Sequence, residues 1–145
     1  MRWQIARSIG WPLARLVHVP SILKAEVWPI VSDRLRAAYL KNDLAHTADL
    51  EHDVLRGDGD LWLAMSGPEI DAAAVTLLQR TDKHLVCLIT AVGGRDRSRW
   101  LDLLPAIEDF ARQQGAAVVR FFGRRGWAAV LDEYRVSAVV MERAL

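Results

Sequence analysis

Hydrophobic residues recur along this chain with two different periods, and the change of period separates strands from helices. Short apolar or β-branched runs at residues 14–19, 61–65, 70–78, 84–92 and 116–122 predict five strands. Apolar residues at helical spacing over residues 22–38, 50–55 and 100–111 predict three helices. Pro29 lies inside the first helical stretch, so this helix is predicted to kink or to divide in two. A short helix at 127–134 and a last strand at 137–142 complete the pattern.

The predicted element order is β-α-α-β-β-β-α-β-α-β. A three-strand antiparallel meander followed by a β-α-β crossover predicts an α/β (α+β) fold with a mixed, mostly antiparallel sheet and helices on both faces. The strand at 84–92 is almost wholly apolar, which favours a central place in that sheet. We expect residues 14–145 to form a single domain after an N-terminal extension at residues 1–13.

Composition narrows the class of protein. The chain has 145 residues, of which 52% are hydrophobic and 26% charged, and this balance is typical of one globular domain. The formal net charge is +1, and the residues from Arg95 onward include nine arginines and seven acidic residues. This excess of positive charge is too small to predict a nucleic-acid partner by itself. No apolar run reaches the roughly 18 residues of a membrane span. With a single cysteine, these features predict a cytoplasmic protein.

The histidines and the cysteine do not predict a reactive centre. His18, His46, His52 and His84 lack the short spacings of a metal site, so no metal is expected. Cys87 lies in an apolar run, and we interpret it as a small buried hydrophobe.

The segment between the strand at 84–92 and the next helix carries the strongest candidate chemistry. It contains Gly93 and Gly94, and then the sequence Arg-Asp-Arg-Ser-Arg-Trp at residues 95–100. In its element order and in the place of this loop, the chain resembles the GNAT N-acyltransferases. That resemblance implies acetyl-coenzyme A or another acyl-coenzyme A as cofactor, since backbone N–H groups at a helix N-terminus bind phosphates. It also implies that the cofactor-binding residues are Ala91, Val92, Gly93, Gly94, Arg95, Arg97, Ser98 and Arg99.

The loop departs from the family pattern, which is Gln or Arg, two residues, Gly, one residue, and then Gly or Ala. If Arg95 takes the first position, Ser98 occupies the first Gly position and Trp100 the second. A tryptophan obstructs the close approach of a phosphate to the backbone. Three arginines beside a helix N-terminus favour an anion, whereas the alternative is a solvated basic turn.

The family's general acid is a tyrosine that follows Ala, two residues and an apolar residue. At residues 128–132 this pattern places Asp132 in the tyrosine position. Tyr134 lies two residues later, about 200° around a helix from Asp132. The catalytic residue is therefore unknown, with Asp132 and Tyr134 as candidates. Tyr134 is otherwise interpreted as a core residue with a bonded hydroxyl.

The string Phe-Gly-Arg-Arg-Gly-Trp at residues 122–127 is similar to GNAT-like proteins encoded among phage and prophage genes. Three functions stay open: a phage-associated, non-catalytic binding or assembly protein, an active enzyme that transfers an acetyl group from acetyl-coenzyme A to an amine, or a nucleic-acid binder. Arg124 and Arg125 are expected near the arginines of the 95–100 loop as part of one anion site. An edge strand at 137–145 would allow a homodimer.

Overall fold

The computed structural model describes residues 15–39, 47–94, 101–123 and 125–145. The predicted extension at residues 1–13 lies outside them. The helices of the described residues are α1 (Lys24–Tyr39), α2 (Thr47–Leu55) and α3 (Leu103–Gln113), with 3-10 turns at Ser21–Leu23 and Arg125–Ala129. The strands are β1 (Arg15–His18), β2 (Asp60–Ser66), β3 (Glu69–Arg80), β4 (Leu85–Gly94) and β5 (Val118–Phe121).

These strands form one sheet in the order β1-β2-β3-β4-β5. The first four are antiparallel neighbours, and β5 pairs parallel with β4 after the crossover through α3. The predicted mixed, mostly antiparallel sheet is confirmed, and β4 is a central strand as its apolar character indicated. Helices α1 and α2 cover one face, and α3 covers the other.

The first helix does not divide at Pro29. Helix α1 is continuous from Lys24 to Tyr39. Pro29 removes one backbone donor and leaves the carbonyl of Ala25 without its helical partner. Both residues lie on the exposed side of α1, where water reaches that carbonyl. The rest of the helix is stabilised by the burial of Val27, Val31 and Leu35.

The C-terminal predictions are partly wrong. The helix expected at 127–134 is a 3-10 turn, Arg125–Ala129, and residues 137–142 form neither a strand nor a helix. Every residue from 135 to 145 is exposed. An apolar run becomes a strand only when another strand accepts its hydrogen bonds, and none of the described strands pairs with this one.

Strand β4 is longer than predicted, because Gly93 and Gly94 belong to it and not to the loop. They pair with Ala73 and Ala72 of β3. The β3–β4 register shifts between Val75 and Thr76: Val75 faces Ala91 while Thr76 faces Ile89, so Thr90 is the extra residue of a β-bulge.

Candidate functional site

The candidate site is the place where β4 continues beyond the end of β5. Strand β5 accompanies β4 only along residues 86–89, and Phe121, its last residue, pairs with Ile89. From Thr90 to Gly94, β4 has β3 on one side and none of the described strands on the other. Among the described strands, the sheet therefore has an open backbone edge on β4, which begins at the bulge and is called the open edge below.

This open edge can bind an extended ligand. In a strand, successive backbone groups point alternately to the two sides, so part of the N–H and C=O groups of residues 90–94 face away from β3. A ligand that carries amide groups along an extended chain can pair there as an added strand would. Thr90 donates its own hydroxyl to the carbonyl of Val75 at 3.3 Å, which ties the start of the bulge to β3.

The two glycines at the end of β4 have packing reasons of their own. A Cβ on Gly93 would lie 2.7 Å from the carbonyl oxygen of Arg34 in α1. A Cβ on Gly94 would lie 2.6 Å from the carbonyl oxygen of Asp71 in β3. Both positions therefore need glycine before any ligand is considered. Ala91 and Val92 precede them in β4, with Ala91 buried in the α1 face.

The other predicted cofactor-binding residues belong to the segment that follows Gly94 in the sequence. Arg95, Arg97, Ser98 and Arg99 lie outside the described residues, as does Trp100. Arg124 lies outside them too, and the predicted anion site at Arg124 and Arg125 therefore stays a prediction.

Tyr134 is held against α3 and β5. Its hydroxyl donates a hydrogen bond to Glu108 Oε2 at 3.0 Å, and its ring lies 5.7 Å from that of Phe121. Burial, with the Glu108 carboxylate as its neighbour, raises the pKa of Tyr134 well above its usual value. The phenol of Tyr134 therefore stays protonated, and its O–H is donated to the Glu108 carboxylate. Asp132 follows the buried Leu131 and is exposed at the surface.

A polar and aromatic cluster on the α3 face was not predicted. His18 of β1 stacks on Trp62 of β2, with ring centroids 4.2 Å apart, and His18 Nε2 lies 2.8 Å from an oxygen of Asp60. The ring of Phe110 from α3 packs edge-on against both. The β1–β2 register pairs His18 with Trp62, and α3 brings Phe110 against both rings. The spacing of the histidines along the sequence therefore did not predict the cluster.

Below this cluster, Trp62 donates its Nε1–H to the buried Thr76 hydroxyl at 2.9 Å. Cys87 lies next to Thr76 and is buried as expected. Burial raises the pKa of the Cys87 thiol from 9.0 to about 11, although the Thr76 hydroxyl opposes that shift. A thiol that stays protonated at neutral pH is a poor nucleophile.

Within the part of the chain that the structure describes, no cluster of three or more His, Cys, Asp or Glu side chains is arranged to hold a metal ion. The same residues include no helix long and apolar enough to cross a membrane.

The fold is similar to that of solved acetyltransferase structures. An aminoglycoside acetyltransferase, HMB0005, from an uncultured soil metagenomic sample has a TM-score of 0.67 and 12% identity, over 91% of this chain and 97% of that one. A second from a soil metagenome, meta-AAC0020 in complex with sisomicin, has a TM-score of 0.64 and 11% identity, over 92% and 97%. A GNAT family acetyltransferase from Staphylococcus aureus has a TM-score of 0.62 and 10% identity, over 92% and 99%.

No protein-family model and no curated protein sequence matches the chain. At these identities the structural likeness shows the fold alone. The chain has the fold of GNAT acetyltransferases, with a mixed, mostly antiparallel sheet and helices on both faces.

Proposed function

We propose that this domain binds acyl-coenzyme A along the open edge of β4 and transfers the acyl group to an amine. The observation that carries the proposal is the five-residue stretch Thr90–Gly94, where β5 has ended and β3 is the one described strand that pairs with β4. The pantetheine arm of coenzyme A is extended and carries amide groups, which fits such an edge. The cofactor would supply a thioester, which an amine can attack directly.

Residues of this chain would do the binding. Backbone groups of Thr90, Ala91 and Val92 would pair with the arm, and the loop arginines Arg95, Arg97 and Arg99 would neutralise the phosphates. Gly93 and Gly94 allow the end of β4 to lie close against α1 and β3. Because one of the similar structures is an aminoglycoside acetyltransferase in complex with sisomicin, a polyamine such as sisomicin is the first acceptor to test.

Calorimetric titration with acetyl-coenzyme A tests the binding half of the proposal. We expect a saturable heat, a rise in melting temperature, and competition by pantetheine. Changing Arg95, Arg97 and Arg99 together to alanine should weaken binding at least about tenfold, through the loss of charge-assisted bonds. The matched control replaces three exposed arginines elsewhere: Arg56, Arg80 and Arg135. No heat and no thermal shift with the wild-type chain would refute the proposal.

Transfer to the amine needs its own assay. Release of coenzyme A from acetyl-coenzyme A is measured against a panel of amines that includes sisomicin. Turnover with any member supports the enzyme, and binding without turnover across the panel supports the second candidate.

That second candidate is a non-catalytic binding or assembly protein. It is supported by the two candidate catalytic residues. The Tyr134 hydroxyl donates its hydrogen bond to Glu108, and Asp132 is exposed at the surface. Neither residue is set to give a proton to a leaving thiolate. The phage-like string at residues 122–127 favours a role in phage assembly for this candidate.

A further inference from the structure

The outer edge of β1 has backbone groups that point away from the sheet. Strand β1 pairs with β2 on one side, and none of the described strands pairs with its other side. The Val19 N–H, just after β1, donates to the Leu61 carbonyl of β2 at 2.9 Å. Since backbone groups alternate in direction along an antiparallel strand, the N–H and C=O groups of Leu16 and His18 point to the outer side.

The same two residues expose their side chains. Leu16 is 39% exposed, and the His18 side chain is 40% exposed. Both lie on the α3 face of β1, where Trp62 covers one face of the His18 ring. The other ring face is therefore turned outward, past the edge of the sheet. A strand added to β1 would place one side chain against His18 and another, two residues away, against Leu16.

A carboxylate lies at the tip of the His18 ring. Asp60 Oδ1 is 2.8 Å from His18 Nε2, and 19% of the Asp60 side chain is exposed. A carboxylate has acceptor sites for more than one donor, so Asp60 can bind a second group beside the imidazole. A planar cation that stacks on the outer face of His18 would meet this negative charge. Arginine fits best, because its guanidinium stacks on aromatic rings and presents a fork of N–H donors to a carboxylate.

We propose that the outer edge of β1 binds an extended peptide that carries an arginine and, two residues later, an aliphatic residue. The peptide adds antiparallel to β1, with the arginine over His18 and paired with Asp60, and with the aliphatic residue against Leu16. Its backbone bonds to the outward N–H and C=O groups of β1. This surface lies three strand spacings, about 14 Å, from β4. It is separate from the open edge and does not depend on the proposed function.

Fluorescence anisotropy of the full chain with a labelled, capped peptide, Ser-Thr-Arg-Thr-Val-Thr, tests this surface. We expect saturable binding that acetyl-coenzyme A does not change. The control peptide, Ser-Thr-Thr-Arg-Val-Thr, has the same composition but puts its arginine and valine on opposite faces of a strand. It should bind at least about tenfold more weakly. No saturation by the first peptide, equal affinity of the two peptides, or displacement by acetyl-coenzyme A would overturn the proposal.

Asp60→Asn separates a direct contact from a structural role of the carboxylate. It should weaken binding of the arginine peptide about tenfold, through the loss of a charge-assisted bond. It should leave the affinity of a peptide with leucine in place of the arginine unchanged. Asp82→Asn, in the exposed turn between β3 and β4, is the matched control and should change neither affinity. Equal weakening of both peptides by Asp60→Asn would mean that the carboxylate only supports β1, which contradicts the proposal.

His18→Ala tests whether a second copy of the chain occupies the same edge. The substitution removes the stacked ring, so it should weaken binding of the arginine peptide. Sedimentation equilibrium without peptide should give the same mass for this variant as for the wild type. A mass that falls in the variant would assign the edge to another copy of the chain and overturn the peptide as its occupant.

Discussion

In the part of the chain that the structure describes, the face of the sheet under α1 and α2 is closely packed, whereas the face under α3 is only partly covered. On the first face, two partly buried hydrophobic residues, Leu23 and Ile70, flank the buried core. On the second face, ten partly buried hydrophobic residues surround the core. That face also holds the His18, Trp62 and Thr76 contacts and the Tyr134–Glu108 bond. Among the described residues, the comparison separates a closely packed apolar face from a face that is less completely covered and holds polar side chains.

Truncating one buried leucine on each face should give the largest difference in unfolding free energy between the two faces. Leu35 in α1 is fully buried on the closely packed face, and Leu104 in α3 is slightly exposed on the other. Leu35→Ala should cost about 3–5 kcal/mol of unfolding free energy and Leu104→Ala about 2–3, because a cavity in the tighter core collapses less. Urea denaturation measures both. An equal or reversed order would contradict the comparison.

Thr76→Val should destabilise the α3 face through a single hydrogen bond. The substitution keeps the shape of the side chain but leaves the buried Trp62 Nε1–H without its acceptor, at a cost of about 1–3 kcal/mol. Adding Trp62→Phe removes the orphaned donor, so the two effects should be strongly non-additive in a double-mutant cycle. Simple additivity would show that the bond contributes nothing.

Alkaline pH should lower the unfolding free energy through the buried Cys87 thiol on the α3 face. The folded Cys87 holds its proton to about pH 11, whereas the unfolded thiol releases it near its ordinary pKa of 9.0. The unfolded state therefore binds fewer protons in this range, and stability falls by about 1 kcal/mol between pH 9 and pH 10. Chemical denaturation at several pH values should show this fall in the wild type and a flatter profile in Cys87→Ala. Identical profiles would rule out a buried thiol as its cause.

Tyr134→Phe should have the smallest effect, because the bond that it removes is half-buried. The loss of the hydrogen bond to Glu108 should cost about 0.5–1.5 kcal/mol. The folded-state pKa of Tyr134 is raised, so its contribution is present below the ordinary tyrosine pKa and is lost as the pH rises above it. Coenzyme A release measured with the same variant separates the two interpretations. Unchanged turnover assigns Tyr134 to the core, and a loss beyond about a hundredfold assigns it to proton transfer.

Local patterns predicted the fold well because each element has its own periodicity. The apolar run of β4 placed it at the centre, and Gly115, which has φ of +83°, ends α3 as a C-terminal glycine should. The prediction of a last strand was wrong because residues 137–142 have strand composition but pair with none of the described strands. The open edge beyond Ile89 and the His18–Trp62 stack depend on strand register, which no single segment encodes.

Hydrogen–deuterium exchange of the β4 amides tests the central claim most directly. If acyl-coenzyme A pairs with the open edge, amides within residues 90–94 that face away from β3 should exchange more slowly when acetyl-coenzyme A is present. Amides of β2, already bonded on both sides, should not change. Protection at residues 90–94 is the predicted result. Saturating acetyl-coenzyme A with unchanged exchange there would contradict the account.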